Sequence, residues 1–498
     1  MAQFINLNPG ALTELRSIDP RMVSYNIEMT EITGGTFWKS YTPEQRAGTE
    51  EFPRLQGLTE NPTAMADLMQ YYPPIDLYSE KLRSFAKELG AAWVRVSGSW
   101  ATTTYYDFDG HTNGRPPEGY RAVLTRAQWI GVLDFVRAIG GKLLISLANC
   151  AGLHTHDEPW NPSQAEQIFA LSKEYGVPIA AAEFMNEPNM LAMSGAPQGY
   201  TGADYARDQD LFFAWVRKNY PDVLCVGPCS VETGGGKSNG GMAAMMPNCT
   251  VDDLMAGTVE PLDVYSYHCY NGVSERLASL LPTLHWPGDR AHTDAYLAVA
   301  PTVAKLHLPY RDRYCPGGQM WVTEAGDAGG GGNTWASTYL DVLRTLNEFG
   351  SFAKLTDGVL FHNTLASSDY GYLQHGTFVP RPSYFAALLW NRLMGTTVYD
   401  AAEPVREGAY VFAHSRRDGK TGKAYLLLNN SMTDATTVQL PGVAEVYCLT
   451  AACPRAEIMQ CNGADLVLGE GDALPAIEPV RREGTLELPP MSCTFVVV

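Results

Sequence analysis

Apolar residues are arranged along this chain in two alternating textures. Eight short runs, bounded by Gly, Pro or Asn, are apolar at successive positions and read as strands buried on both faces: 22–28, 93–96, 142–149, 179–184, 223–226, 264–268, 320–324 and 358–363. Between and after them, segments 78–89, 126–139, 163–175, 204–219, 294–306, 335–348 and 383–394 carry apolar residues at helical spacing. Strand followed by helix, repeated in this way, predicts an α/β fold: a (β/α)8 TIM barrel whose strands end, on their C-terminal side, around a mouth.

Beyond position 394 the texture changes. AYVFAHS, KAYLLLNN, TTVQLPG, AEVYCLT and the closing LELPPMSCTFVVV are short strand-like runs split by turn residues, which predicts a C-terminal all-β sandwich. An early run, QFINLN, precedes the first barrel strand and is expected to cross over and add a strand to that sandwich. The expected division is an N-terminal segment over 1–20, a catalytic barrel over 21–396 and a β-sandwich over 397–498. The longest irregular stretch, 39–74, is expected to be a loop or lid over the barrel mouth.

Composition narrows the class. The 498 residues suit a barrel plus a smaller appended unit, and no run approaches the ~18 apolar residues of a membrane span. Residues 1–17 have neither a basic n-region nor an apolar h-region, so a cytoplasmic protein is expected. The ten cysteines lack the spacing of a disulfide framework and are expected to be free thiols. A net charge of −18 repels nucleic acid and other polyanions at long range, so an acidic ligand would have to be recognised locally.

Two glutamates carry the candidate chemistry. Glu187 follows the fourth predicted strand in IAAAEFMNEPN, and Glu324 ends the seventh in MWVTEAGDAGGGG. In a barrel both would point into the mouth, and a facing carboxylate pair suits acid-assisted displacement at a sugar carbon. Asn186 and Pro188 flank Glu187, which sets that carboxyl at a rigid turn with an amide able to reach a sugar hydroxyl. Glu187 is therefore the expected acid/base, its pKa raised by burial and by the charge of Glu324.

These residues resemble glycoside hydrolase clan A and, within it, family 79, which contains heparanase and β-glucuronidases. The matching pieces are the N-E-P after the fourth strand, the W-x-x-E of Trp321 and Glu324 with its following glycines, the sixth-strand YHCYNG, and RPSYFAALLWNRLMGT. The resemblance implies that Glu187 is the proton donor and Glu324 the nucleophile of a retaining reaction. It implies that the amides of Gly330 and Gly331, with the Tyr370 hydroxyl, hold a glucuronate carboxylate. It also implies that Tyr270 hydrogen-bonds the nucleophile, that His268 stands in the same cleft, and that Glu28 meets sugar hydroxyls. Successive glycine amides can bind an anion without lysine or arginine, which fits an acidic protein acting on an acidic sugar. Trp100 stands where a sulfated polymer would call for a polar or basic contact, and Gly329 replaces an aromatic residue common before the glycines.

The expectation is thus a retaining, exo-acting β-glucuronidase with a carbohydrate substrate, no cofactor, no metal, no nucleic-acid partner and no membrane association. The alternatives are another clan A retaining enzyme such as a β-xylosidase or β-glucosidase, an endo-acting heparanase-like enzyme, and a non-catalytic sugar-binding protein. HTHDE (154–158) superficially suggests metal ligands but, following the third strand, is expected to be a polar rim loop that contacts substrate, and the pair Cys225 and Cys229 lacks the second pair that zinc spacing requires. ETGGGKSNGG (232–241) lacks the first glycine of a phosphate loop.

Overall fold

The computed structural model describes residues 3–52, 64–233 and 249–498. Its centre is a closed barrel of eight parallel strands: β1 (Val23–Glu28), β2 (Trp93–Ser97), β3 (Lys142–Ser146), β4 (Ile179–Glu183), β5 (Leu224–Thr233), β6 (Val264–Val273), β7 (Gln319–Gly329) and β8 (Leu360–His362). Each falls on one of the eight predicted runs, and β8 closes the ring against β1. Outside stand α1 (Glu80–Glu88), α2 (Arg126–Ala138), α3 (Ser163–Glu174), α4 (Gly202–Asn219), α5 (Val299–Tyr314), α6 (Leu340–Leu355) and α7 (Pro382–Leu393). No helix among the described residues is long and apolar enough to cross a membrane.

Strand alternation divides the barrel interior into an apolar floor and a polar upper layer. Trp93, Leu144, Ala181, Val226, Trp321 and Phe361 pack together below, with the two indoles edge to face at 4.9 Å. Two residues further along their strands, Arg95, Ser146 and Glu183 point inward and bond to one another. Glu324 joins this layer through a bulge. Tyr267 pairs with Val322 and His268 with Glu324, so Thr323 is an extra residue in β7, and the inserted residue turns Glu324 inward where strict alternation from Trp321 would have turned it out.

Two predicted helices differ from expectation. The segment 294–306 is a short turn, Asp294–Leu297, followed by α5, and the helix expected over 335–348 begins only at Leu340. The cause of the second shift is tertiary. The Tyr339 amide donates to Ala456 O (2.9 Å), and its hydroxyl donates to the carbonyls of Leu449 and Met491 (2.8 and 2.7 Å), so the backbone there is held by the C-terminal sheet.

After α7 the chain builds a large sheet, including Met394–Asp400, Tyr410–Arg416, Lys423–Asn429, Ser492–Val497 and Ala444–Ala451, that also takes in Thr13–Ser17. A smaller sheet joins Gln3–Asn6, Thr436–Gln439 and Thr485–Leu488. Alternating residues of the large sheet serve two cores. Val411, Tyr425, Leu427 and Val496 pack with Ile5, Val438 and Leu488 of the smaller sheet, whereas Phe412, Leu426, Leu428 and Phe495 join the barrel's helical core. That explains why KAYLLLNN and CTFVVV are apolar at nearly every position.

Candidate active site

A cleft of about 420 Å³ opens at the C-terminal ends of the strands. Glu28, Asn186, Glu187, Tyr270, Glu324, Gly330 and Tyr370 all line it. His268 is fully buried behind Glu187, and Gly331 adjoins Gly330 against Trp38. All nine sequence-derived positions therefore lie in or directly behind one cleft.

The centre is an ion network built on Arg95, whose side chain is 1% exposed. Its Nε donates to Glu183 (2.9 Å), Nη1 to Glu324 Oε1 (2.9 Å), and Nη2 to Asn186 Oδ1 (2.9 Å) and toward His268 Nε2 (3.2 Å). A guanidinium only donates, so His268 Nε2 accepts and the ring proton sits on Nδ1. That Nδ1–H then donates to Glu187 Oε1 at 3.0 Å. The Asn186 oxygen is thus committed within the network, also accepting from Ser97 Oγ (3.1 Å).

Glu324 accepts a second donor, the Tyr270 hydroxyl, at 2.7 Å on Oε2. Asn363 donates to both the Tyr270 and Tyr370 hydroxyls (2.8 and 3.1 Å) and, through its own oxygen, accepts from Asn26 (3.2 Å). Burial alone would raise the Glu324 carboxyl, but the polarised Nδ1–H of His268 (3.6 Å from Oε2), the Arg95 guanidinium and the Tyr270 hydrogen bond outweigh it and hold Glu324 below the usual carboxylate range. Glu187 behaves oppositely. Burial, reinforced by the charge of Glu324 and only partly offset by His268, pushes it up. Oxygens of the two carboxyls lie within 4.8 Å of each other.

Local backbone holds Glu187 in place. It sits at φ 45°, a left-handed conformation uncommon outside glycine, between Asn186 and the Pro188–Ser194 turn. Its carbonyl accepts from the Met190 amide (3.0 Å) and Ser194 Oγ (2.8 Å). Glu28 is buried more deeply. Burial, then the charges of Glu324 and Glu31, push its pKa well up, and its Oε2 has no hydrogen-bond partner among the described residues. A Cβ on Gly98 would collide with that carboxyl, which is why a glycine faces it.

The glycine turn after β7 is clamped from behind. Gly330, Gly331 and Gly332 all have positive φ, which any other residue would adopt only under strain. Arg276 donates to the carbonyls of Gly330 (3.1 Å) and Gly332 (2.9 Å) and pairs with Asp369 (2.7 Å), while Ser274 Oγ adds a bond to Gly330 O (2.9 Å). In a trans peptide the N–H opposes the C=O, so the Gly331 amide points away from Arg276. Among the described residues, the Gly330 and Gly331 amides have no hydrogen-bond partner.

Sequence reasoning did not single out Arg95, Glu183, Asn363 or Arg276. Arg95 and Glu183 had a visible signal, since each is a lone charge inside an apolar strand run, WVRVS and IAAAE. Of the irregular stretch 39–74, residues 53–63 lie outside the described residues. The strand Met69–Tyr72 pairs antiparallel with Gly35–Trp38, and this hairpin brings Phe37, Trp38 and Met69 to the cleft. ETGGGKSNGG falls almost wholly outside the described residues. In HTHDE, His154 bonds Asn149 Oδ1 (2.6 Å), and Cys229 Sγ donates to Met185 O (2.9 Å).

No protein-family model matches the chain. Heparanase-like protein 1 of Arabidopsis thaliana is 24% identical over 480 residues, spanning 85% of each chain. A baicalin-beta-D-glucuronidase of Scutellaria baicalensis is 32% identical over 186 residues, 35% of each chain. Among solved structures, a 4-O-alpha-L-rhamnosyl-beta-D-glucuronidase from Fusarium oxysporum superposes over 99% of this chain and 100% of its own with a TM-score of 0.62 at 13% identity, and a GH51 arabinofuranosidase from Xanthomonas axonopodis shares the fold with a TM-score of 0.58 at 14% identity. The barrel, the glutamate pair at its mouth and these relatives converge: the chain is a glycoside hydrolase, similar in sequence to heparanase-like proteins and β-glucuronidases.

Proposed function

We propose that this enzyme is a retaining, exo-acting β-glucuronidase that hydrolyses glucuronides or glucuronate-ended oligosaccharides by double displacement. The observation carrying this reading is the carboxyl pair: oxygens within 4.8 Å, with Glu324 shifted down and Glu187 up. Such closeness suits direct attack by one carboxylate, and falls short of the ~6.5–9.5 Å carboxyl separation that inversion uses. Glu324, kept ionised by Arg95 and Tyr270, attacks the anomeric carbon. Because His268 Nδ1–H occupies Glu187 Oε1, the acidic proton rides on Oε2 and is delivered to the departing oxygen. Once Glu324 is bonded to the sugar its charge is gone, the Glu187 pKa falls, and Glu187, ionised after giving up its proton, takes a proton from the water that attacks the anomeric carbon and releases Glu324.

The glucuronate assignment is supported by the two unbonded amides of the clamped glycine turn, with the Tyr370 hydroxyl beside them. The similarity to a glucuronidase of Scutellaria points the same way. The test is turnover of matched aryl glycosides. Glu324→Ala and Glu187→Ala should each abolish hydrolysis of an aryl β-glucuronide by the full chain, and wild type should prefer it to the matched glucoside and xyloside. Full activity in either variant rejects the catalytic assignment; preference for the neutral sugars rejects the carboxylate site.

A further inference from the structure

We infer that the outer part of the cleft binds an uncharged, flat apolar aglycone, so that the substrates of this enzyme are glucuronides of aryl or similarly hydrophobic alcohols. The inference rests on the glucuronidase reading above and adds the identity of the leaving group. Beyond the polar floor of glutamates, tyrosines and asparagines, the walls change character. Met190 and Met193 project from the Pro188–Ser194 turn that begins directly after Glu187, the residue that protonates the leaving oxygen. Met193 is 52% exposed and lines the cleft beside Met190, so its thioether is open to whatever group extends from the sugar. Trp100, packed edge to face on Phe37 at 4.8 Å, forms another side, and Leu277 and Leu280 a third.

These walls discriminate by chemistry. A second sugar would press its hydroxyls against thioether and alkyl groups that cannot return the hydrogen bonds lost from water. A sulfated chain would find no lysine or arginine among the described residues lining the cleft, in a protein of net charge −18. An aromatic leaving group instead gains stacking on Trp100 and soft contacts with the methionines, which adapt to different ring shapes. Sugar hydroxyls and carboxylate are met by the polar floor, and the apolar remainder by the rim. That is the usual division of labour in a small-molecule site.

The test compares leaving groups of nearly equal acidity and different apolar area. The full chain should hydrolyse 2-naphthyl β-glucuronide with a kcat/KM about tenfold above phenyl β-glucuronide, and both should exceed a glucuronate-ended disaccharide. Met193→Asp, at an exposed position where folding is not at risk, should bring the naphthyl-to-phenyl ratio to within about twofold of unity; Trp100→Ala should do the same. A wild-type ratio near one, a preferred disaccharide, or a ratio unchanged in both variants overturns the inference. If no glucuronide is turned over, the glucuronidase reading fails separately, and the same ratio measured on the accepted aryl glycoside decides the aglycone question.

Discussion

Replacing Tyr270 by Phe removes one oxygen and little else. The ring packs against Tyr370 and Ala336, and Phe preserves that packing. What disappears is the 2.7 Å hydrogen bond to Glu324 Oε2, one of the donors that keep the carboxylate ionised at 4% exposure. A hydrogen bond to a charged group contributes about 1.5–3 kcal/mol, and one pKa unit corresponds to about 1.4 kcal/mol, so the Glu324 pKa should rise by roughly one to two units. The sign follows from the role. Glu324 must be ionised to attack, so the acid limb of the kcat/KM profile moves to higher pH by that amount. The alkaline limb, set by Glu187 losing its proton, stays where it is. Asn363 keeps one acceptor in the Tyr370 hydroxyl, so it is not left stranded. The assay is kcat/KM for an aryl β-glucuronide across pH, alongside a thermal melt to confirm folding. An acid limb that does not move, in a variant that melts like wild type, would refute the idea that Tyr270 stabilises an ionised nucleophile.

Arg276→Lys keeps a cation near Asp369 but loses the fork that holds two glycine carbonyls at once; KM for the glucuronide should rise about tenfold with kcat changed less, and an unchanged KM would dissociate the glycine turn from sugar binding. Glu31 is buried, and burial pushes its pKa to about 8, offset in part by the Glu28 amide that donates to it at 2.7 Å. Since its folded value lies above the unfolded one, the native state binds the extra proton, and the resulting stability is full below about pH 4 and is lost as pH rises through about 8. Melting temperature should therefore fall over that window in the wild type and fall less in Glu31→Gln, and parallel curves for the two proteins would refute the assignment.

Much of this architecture was legible because barrel strands, covered on both sides, must be apolar almost without interruption, and the eight such runs coincide with the eight strands. The two glutamates were legible for a related reason: each follows the apolar run of its strand on the C-terminal side, where a barrel places side chains in the mouth. Arg95 was harder. Its strand reads as core, and only three-dimensional closure reveals that the second inward position of β2 faces Glu183, Glu324 and Asn186. The bulge at Thr323 leaves no mark in the local sequence, since WVTEA would form a regular strand equally well. Asn363 and Arg276 act across the barrel mouth on partners far away along the chain, and periodicity carries no record of such pairings. The late start of α6 likewise depends on Tyr339 finding carbonyls more than a hundred residues away.

The pairing of Gln3–Asn6 with Thr436–Gln439 has a consequence for biosynthesis. During translation, the first strand leaves the ribosome more than four hundred residues ahead of its partner, and the neighbouring strand Thr485–Leu488 comes later still. Throughout that interval the barrel's outer helices await the sheet that will cover them, and Phe412, Leu426 and Phe495 do not yet exist to seal their apolar side. A nascent chain of this kind stays vulnerable to aggregation until synthesis is nearly finished. A holdase chaperone that covers those helices during synthesis should therefore raise the yield of active enzyme.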